Sequence, residues 1–177
     1  MIINLQPTHL ENSLVKISPL MEHDFERFFN IASDPLIWAQ HPAKDRYKPE
    51  VFKSFFDSAV DSGTAFLIFD KSDSAVIGTT RFYEFKPEES SIAIGYTFLK
   101  RDYWGGMFNF AMKKLLLDYA FGFVDSVRFH IGAVNIRSQK AVLKLGAEKK
   151  IEMEMGDSKQ LYFEYELKKE NWLGRNL

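Results

Sequence analysis

The sequence predicts an α/β fold in which a mixed sheet carries helices on both faces. Three observations lead there. Between Ala65 and Leu99, three apolar runs are separated by short polar turns, the pattern of an antiparallel meander. From Ser91 to Val134, a strand, a long amphipathic helix and another strand follow in turn, which places a strand–helix–strand unit in the same sheet. The first third of the chain supplies two more helical segments to cover it.

Each element has a local reason. Leu14–Pro19 (LVKISP) alternates apolar and polar residues as a strand does. In Met21–Ala32, residues Phe25, Phe28, Phe29 and Ala32 recur at helical spacing, and Asp34-Pro35 stops the helix. Ile37–Lys48 shows no period and reads as a loop. Pro49 suits the first turn of a helix reaching about Asp61, closed by Ser62-Gly63. The meander strands are Ala65–Asp70, Ala75–Phe85 and Ser91–Leu99. A helix over about Phe108–Gly122 follows, with Phe108, Ala111, Met112, Leu115 and Tyr119 on one stripe. Val127–Val134 is a strand, and Ile136–Lys144 is a short helix closed by Gly146. Ile151–Met155 and Lys159–Leu167 form two strands around a Gly156-Asp157 turn. The expected organisation is one domain over residues 14–172, with tails at 1–13 and 173–177.

The chain has 177 residues, 46% of them hydrophobic and 17 of them Phe, which suits a packed core rather than disorder. A net charge of -1 gives no global field for nucleic acid or an acidic membrane, so neither is expected as a partner. With no cysteine, disulfides and a Cys nucleophile are excluded. No apolar run reaches the roughly 18 residues of a bilayer span, and MIINLQPTHLENS lacks the pattern of a secretory signal. The expected location is the cytoplasm. His9, His23, His41 and His130 are scattered without metal-ligand spacing, so they read as ordinary residues and no metal is expected.

The chemistry concentrates in IGYTFLKRDYWGGMFNFAMKKLLLDYAF, Ile94 to Phe121. A strand feeding a glycine turn at a helix N-terminus can hold a pyrophosphate, because free N–H groups and the positive helix end converge there. Gly105-Gly106 could equally cap a surface helix. Asn135 is also a good N-cap for the helix after it, and Ser138 could be a solvated first-turn residue. Lys113-Lys114 read as the wet face of the long helix, and Glu148–Lys150 as a charged surface turn.

With NIRSQKAVLKLGA at Asn135–Ala147, these motifs resemble the GNAT acyl-CoA N-acyltransferases, and within them the RimJ/RimL-type protein N-terminal acetyltransferases. LVKISPL, SDPLIW at Ser33–Trp38, IGTTRFYEF at Ile77–Phe85, GYTFL at Gly95–Leu99 and EYELKKENW at Glu164–Trp172 extend the resemblance over almost the whole chain.

The resemblance implies a mostly antiparallel sheet splayed at one parallel strand pair, with acetyl-CoA as cosubstrate. It implies that Tyr96, Thr97 and Phe98 pair with the pantetheine amides. Trp104, Gly105, Gly106, Met107, Phe108 and Asn109 would surround the pyrophosphate, and Asn135 and Ser138 would touch the cofactor arm and its sulfur. The implied reaction is direct attack of a primary amine, from a protein N-terminus or a small molecule, on the acetyl thioester. Ser138 is the candidate acid and Glu84 the candidate base. Trp38, Tyr47, Phe82 and Tyr83 are candidates for the acceptor pocket, although many aromatics must be core. The chain departs from the family pattern at Trp104, Met107 and Asn109. Ala93 stands where relatives carry a Glu, and Val142 where a Tyr acid is found elsewhere. Two alternatives are a catalytically degenerate acyl-CoA-binding or sensor module and a structural, dimer-forming domain without cofactor. Any self-association of the enzyme is expected as a homodimer.

Overall fold

The computed structural model describes residues 3–156 and 159–174. In chain order the elements are β1 (Leu10–Glu11), β2 (Val15–Pro19), α1 (Phe25–Ala32), α2 (Pro49–Asp61), β3 (Ala65–Asp70), β4 (Val76–Lys86), β5 (Ser91–Leu99), α3 (Phe108–Ala120), β6 (Ser126–Gly132), α4 (Ile136–Lys144), β7 (Glu148–Met155), β8 (Gln160–Lys168) and α5 (Lys169–Leu173). The strands form one sheet in the order β1-β2-β3-β4-β5-β6-β8-β7. Every neighbouring pair is antiparallel except β5 with β6.

The alternation of β3 divides the core. Phe66 and Ile68 join one cluster with Met112, Leu116 and Leu117 of α3, while Ala65 and Leu67 join a second with Phe28 of α1 and Phe52, Phe55 and Phe56 of α2. Successive strand residues face opposite sides of a sheet, so helices cover both faces, as the sequence pattern requires. The second cluster is largely aromatic. Phe28 meets Phe52 edge-on at 5.0 Å and stacks on Phe98 of β5 at 5.6 Å, which ties the helices to the strand that lines the site.

The parallel pair is short. β5 and β6 share register only at Ser91↔Ser126, Ile92↔Val127 and Ala93↔Arg128. Beyond Ala93, β5 stays with β4 and β6 stays with β8, out to Gly132↔Tyr162. Tyr96 adopts a left-handed φ of 51° just past the divergence. A residue in that conformation bends the strand and re-aims its neighbours, so the sheet opens at this point.

Two expectations about the ends change. Leu10–Glu11 lies in the segment read as a tail, yet it pairs with Lys16 and Ile17 of β2. Glu148–Lys150, read as a surface turn, is the start of β7 and pairs with β8. Gly156 has φ 73° in the turn after β7; Asp157, its expected partner in that turn, and residues 175–177 of the expected tail lie outside the described residues.

Candidate active site

The opening between β5 and β6 continues into a cavity of about 610 Å3. The second half of β5 (Ile94–Leu99), β6 from Phe129 to Gly132, the glycine turn before α3, the first turns of α3 and α4, and the loop after α1 line it. That loop crosses the gap because Gly132 leaves room. A Cβ on Gly132 would stand 2.9 Å from Pro42 Cγ.

One end is built to hold an anion. Met107 is the N-cap of α3, and no side chain caps the helix, so its first-turn N–H groups stay open. Gly105 has φ 70°, where a side chain is strained. A Cβ on either Gly105 or Gly106 would meet nothing within 4 Å, so the missing side chains leave space rather than packing. Trp104 steadies the turn by donating from Nε1 to the Leu99 carbonyl at 2.8 Å, and the Arg137 guanidinium lies 3.6 Å from the centre of its ring. Arg137, Lys113, Lys140 and Lys144 line the cavity, and among the described residues no aspartate or glutamate does. An uncapped helix end, an open glycine turn and a cationic lining fit the phosphates of coenzyme A.

Of the predicted cofactor contacts, the structure brings Tyr96, Thr97, Phe98, Trp104, Gly105, Gly106, Asn109, Asn135 and Ser138 to this cavity. Asn135 also caps α4, its Oδ1 accepting from the Ser138 N–H at 3.2 Å. Its amide nitrogen makes no hydrogen bond among the described residues and is left for a ligand. Met107 and Phe108 are not in the lining. Met107 is 62% exposed, and Phe108 packs edge-on against Tyr103 at 4.8 Å.

The acceptor candidates divide. Trp38 lines the cavity. Phe82 does not: it is fully buried in the α3-side core, edge-on to Phe66 at 5.9 Å. Tyr47 lies outside the lining and packs against the α1–α2 cluster. Tyr83 is also outside the lining; it sits beside Tyr96, with ring centres 5.2 Å apart, and its hydroxyl is occupied by His130. Glu84 is exposed at a left-handed φ of 47°, within the register shift of β4 between Tyr83 and Lys86, and it does not line the cavity. The bulge turns its carboxylate to solvent, so it is not placed to act as the base.

Three residues read as ordinary are part of the site. His130 lines the cavity and is nearly buried, with Nε2 3.0 Å from Glu164 Oε2 and Nδ1 2.8 Å from the Tyr83 hydroxyl. A carboxylate only accepts, so Nε2 carries the proton and Nδ1 accepts from Tyr83. Burial, with the Glu84 charge second, holds the Tyr83 phenol above its ordinary value, so it stays protonated and donates. His41 also lines the cavity, and burial, with Arg46 second, pushes its imidazole down to about 4. Lys113 is 5% exposed rather than on the wet face; Lys114 takes that role, paired with Asp118 at 2.7 Å. Lys113 Nζ donates to Thr97 Oγ1 at 2.9 Å, and burial pushes its ammonium down to about 7.

The period-2 pattern of VRFHIG could have flagged His130. Buried Val127, Phe129 and Ile131 put His130 on the opposite face. Its partner Glu164 stands directly across on β8, a pairing between strands that are not consecutive and so not readable from the chain alone. Among the described residues no group of three or more His, Asp or Glu could hold a metal ion, and no helix is long and apolar enough to cross a membrane.

The splayed parallel pair and the uncapped helix end beside it open onto one cavity. The chain belongs to the acetyltransferase (GNAT) domain family, whose model matches residues 15–148. Members transfer an acetyl group from acetyl-CoA to an amine, and this chain is an N-acetyltransferase of that class. Solved structures share the fold at low identity. A GCN5-related N-acetyltransferase from Brucella melitensis is 16% identical with TM-score 0.81, over 95% of this chain and 83% of that one. A spermidine N-acetyltransferase from Vibrio cholerae, in complex with CoA and spermine, is 14% identical with TM-score 0.71, over 92% and 100%. RimJ from Mycobacterium smegmatis, in complex with CoA-disulfide, is 14% identical with TM-score 0.70, over 91% and 84%. No curated protein matches the sequence at a significant level.

Proposed function

We propose that the protein acetylates a primary amine by direct attack on acetyl-CoA bound along β5, with its pyrophosphate on the turn before α3. The observation that carries this reading is the single cavity that joins the uncapped α3 end to the splayed half of β5. The bound cosubstrate supplies an activated thioester and a thiolate leaving group. The exposed edge of β5 past Ala93 offers backbone groups to the amides of the arm, as an added strand would. The N–H groups from Gly105 to Asn109 hold the phosphate end, and the Asn135 amide hydrogen-bonds the arm. The Ser138 hydroxyl donates to the sulfur as charge develops there.

The amine loses its proton to the chain Tyr83–His130–Glu164. His130 Nδ1 is the final acceptor; the Tyr83 hydroxyl that serves it lies outside the cavity lining, so a water between the amine and that hydroxyl completes the relay, and Glu164 stabilises the resulting imidazolium. This assigns the base to residues other than Glu84. Within the family, the quoted motifs favour the RimJ/RimL type. The test is thiol release from acetyl-CoA over a panel of primary amines. Release that depends on the amine supports the reading; release no faster than the uncatalysed background with every amine overturns it.

A further inference from the structure

The wall of the cavity formed by the loop between α1 and α2 carries a positive charge without a counterion among the described residues. Arg46, in the loop between α1 and α2, lines it beside Trp38, Gln40, His41, Tyr96 and Tyr162. Its guanidinium lies 4.4 Å from the centre of the Phe55 ring and 5.6 Å from that of Trp38. One of its nitrogens lies 3.5 Å from His41 Nε2. No carboxylate pairs with it among the described residues. Behind Tyr96 a second guanidinium, that of Arg81, sits 3.6 Å from the ring centre. Arg81 donates to the Ser58 carbonyl at 2.8 Å and is likewise without a carboxylate partner among the described residues. Glu164, the acid across β6 from the cavity, is held by His130.

We propose that the acceptor is a primary amine that also carries a carboxylate, and that Arg46 binds that carboxylate. A guanidinium set against the Phe55 and Trp38 rings has its place fixed by packing and offers a planar fork, which matches a carboxylate in two-point fashion. Binding there supplies the missing counterion to a partly buried charge and fixes where the amine lies. The same lining works against a polyamine, whose extra ammonium groups would face Arg46 and Arg81 with no acid to receive them. It also favours the neutral, attacking form of the amine, since nearby positive charge disfavours the ammonium.

The inference rests on the acetyltransferase reading of this cavity. The test compares α-amino acids, β-alanine and γ-aminobutyrate with their carboxamides, and with spermidine and a tetrapeptide amide bearing a free N-terminus. The expected result is a kcat/KM at least about tenfold higher for the best carboxylate-bearing amine than for its carboxamide, the scale of a lost charged hydrogen bond. Arg46→Gln should erase most of that ratio through KM, and Arg46→Lys should restore part of it. A carboxamide or spermidine used as well as the carboxylate, or an unchanged ratio in folded Arg46→Gln, overturns the proposal. Calorimetric titration of wild-type protein with the same pairs needs neither turnover nor the variant. Tighter binding of the carboxylate supports the proposal, and equal or absent binding overturns it. Failure of the acetyltransferase reading shows separately, as no change in thermal stability with coenzyme A.

Discussion

The Tyr83 hydroxyl meets His130 Nδ1 at 2.8 Å although the two residues stand on β4 and β6, with β5 between them. Gly95 of β5 makes this contact possible. A Cβ there would lie 2.8 Å from Tyr83 Cε1 and 3.1 Å from its hydroxyl. A missing side chain on the middle strand therefore lets a proton path cross it, and Glu164 closes the path from β8.

This arrangement predicts that Gly95→Ala lowers turnover by displacing Tyr83 from His130. His130→Gln should cost roughly 10²–10⁴-fold in kcat, the usual contribution of a general base. Glu164→Gln should lower kcat at least about tenfold, because it removes the carboxylate that holds His130 Nε2. Steady-state rates across pH on folded variants check all three; wild-type profiles would remove the chain from catalysis.

Glu84 and Ser138 should behave oppositely. Glu84→Gln should keep kcat close to wild type, since the exposed carboxylate makes no hydrogen bond to Tyr83 or His130 among the described residues. Ser138→Ala should lower kcat about tenfold or more, as expected for loss of a donor to developing charge. A large defect in Glu84→Gln would return the base to the β4 bulge.

Lys113 sets a pH dependence of stability. The unfolded chain keeps this lysine protonated up to about pH 10, whereas burial in the native state brings it down to about 7. Between these values the unfolded state binds the extra proton, so this site's contribution to stability rises with pH. The penalty for burying the charge is fully present below pH 7. Lys113→Met should therefore stabilise the protein most at pH 6, with the difference shrinking steadily toward pH 10. Denaturant melts of both proteins at several pH values measure it, and a constant difference would contradict it.

Asn135 serves two purposes, and one substitution separates them. Asn135→Ala should cost about 1 kcal/mol of stability as a lost N-cap. It should also raise the KM for acetyl-CoA by removing the free amide. Loss of stability with an unchanged KM would leave Asn135 as a cap alone.

How far the sequence reveals these features depends on how local their causes are. The spans of α2, β3, β5 and α4 follow from features within them: Pro49 at a first turn, apolar runs cut off by polar turns, and Asn135 and Gly146 at the two ends of a helix. β1 and the start of β7 were hidden because edge strands with one neighbour carry no apolar alternation; β7 is exposed through Ile151. The glycine turn is legible because its chemistry is continuous in sequence. His130, Glu164 and Tyr83 meet only through the strand order, which consecutive hairpins do not specify. Lys113 was hidden because α3 borders the splayed gap, so its buried face is wider than an ordinary stripe and takes in Ala111, Met112 and Lys113 in succession.

The most direct test of the account is the thermal shift of wild-type protein and Gly106→Val with coenzyme A. Gly106 is not at a left-handed φ, and its Cβ would meet nothing within 4 Å, so the variant should fold with its side chain in the phosphate space. At a hundredfold excess over its dissociation constant, coenzyme A should stabilise the wild type by about 2.7 kcal/mol and the variant by much less. No shift in the wild type, or an equal shift in both, would contradict the placement of the cosubstrate at the turn before α3.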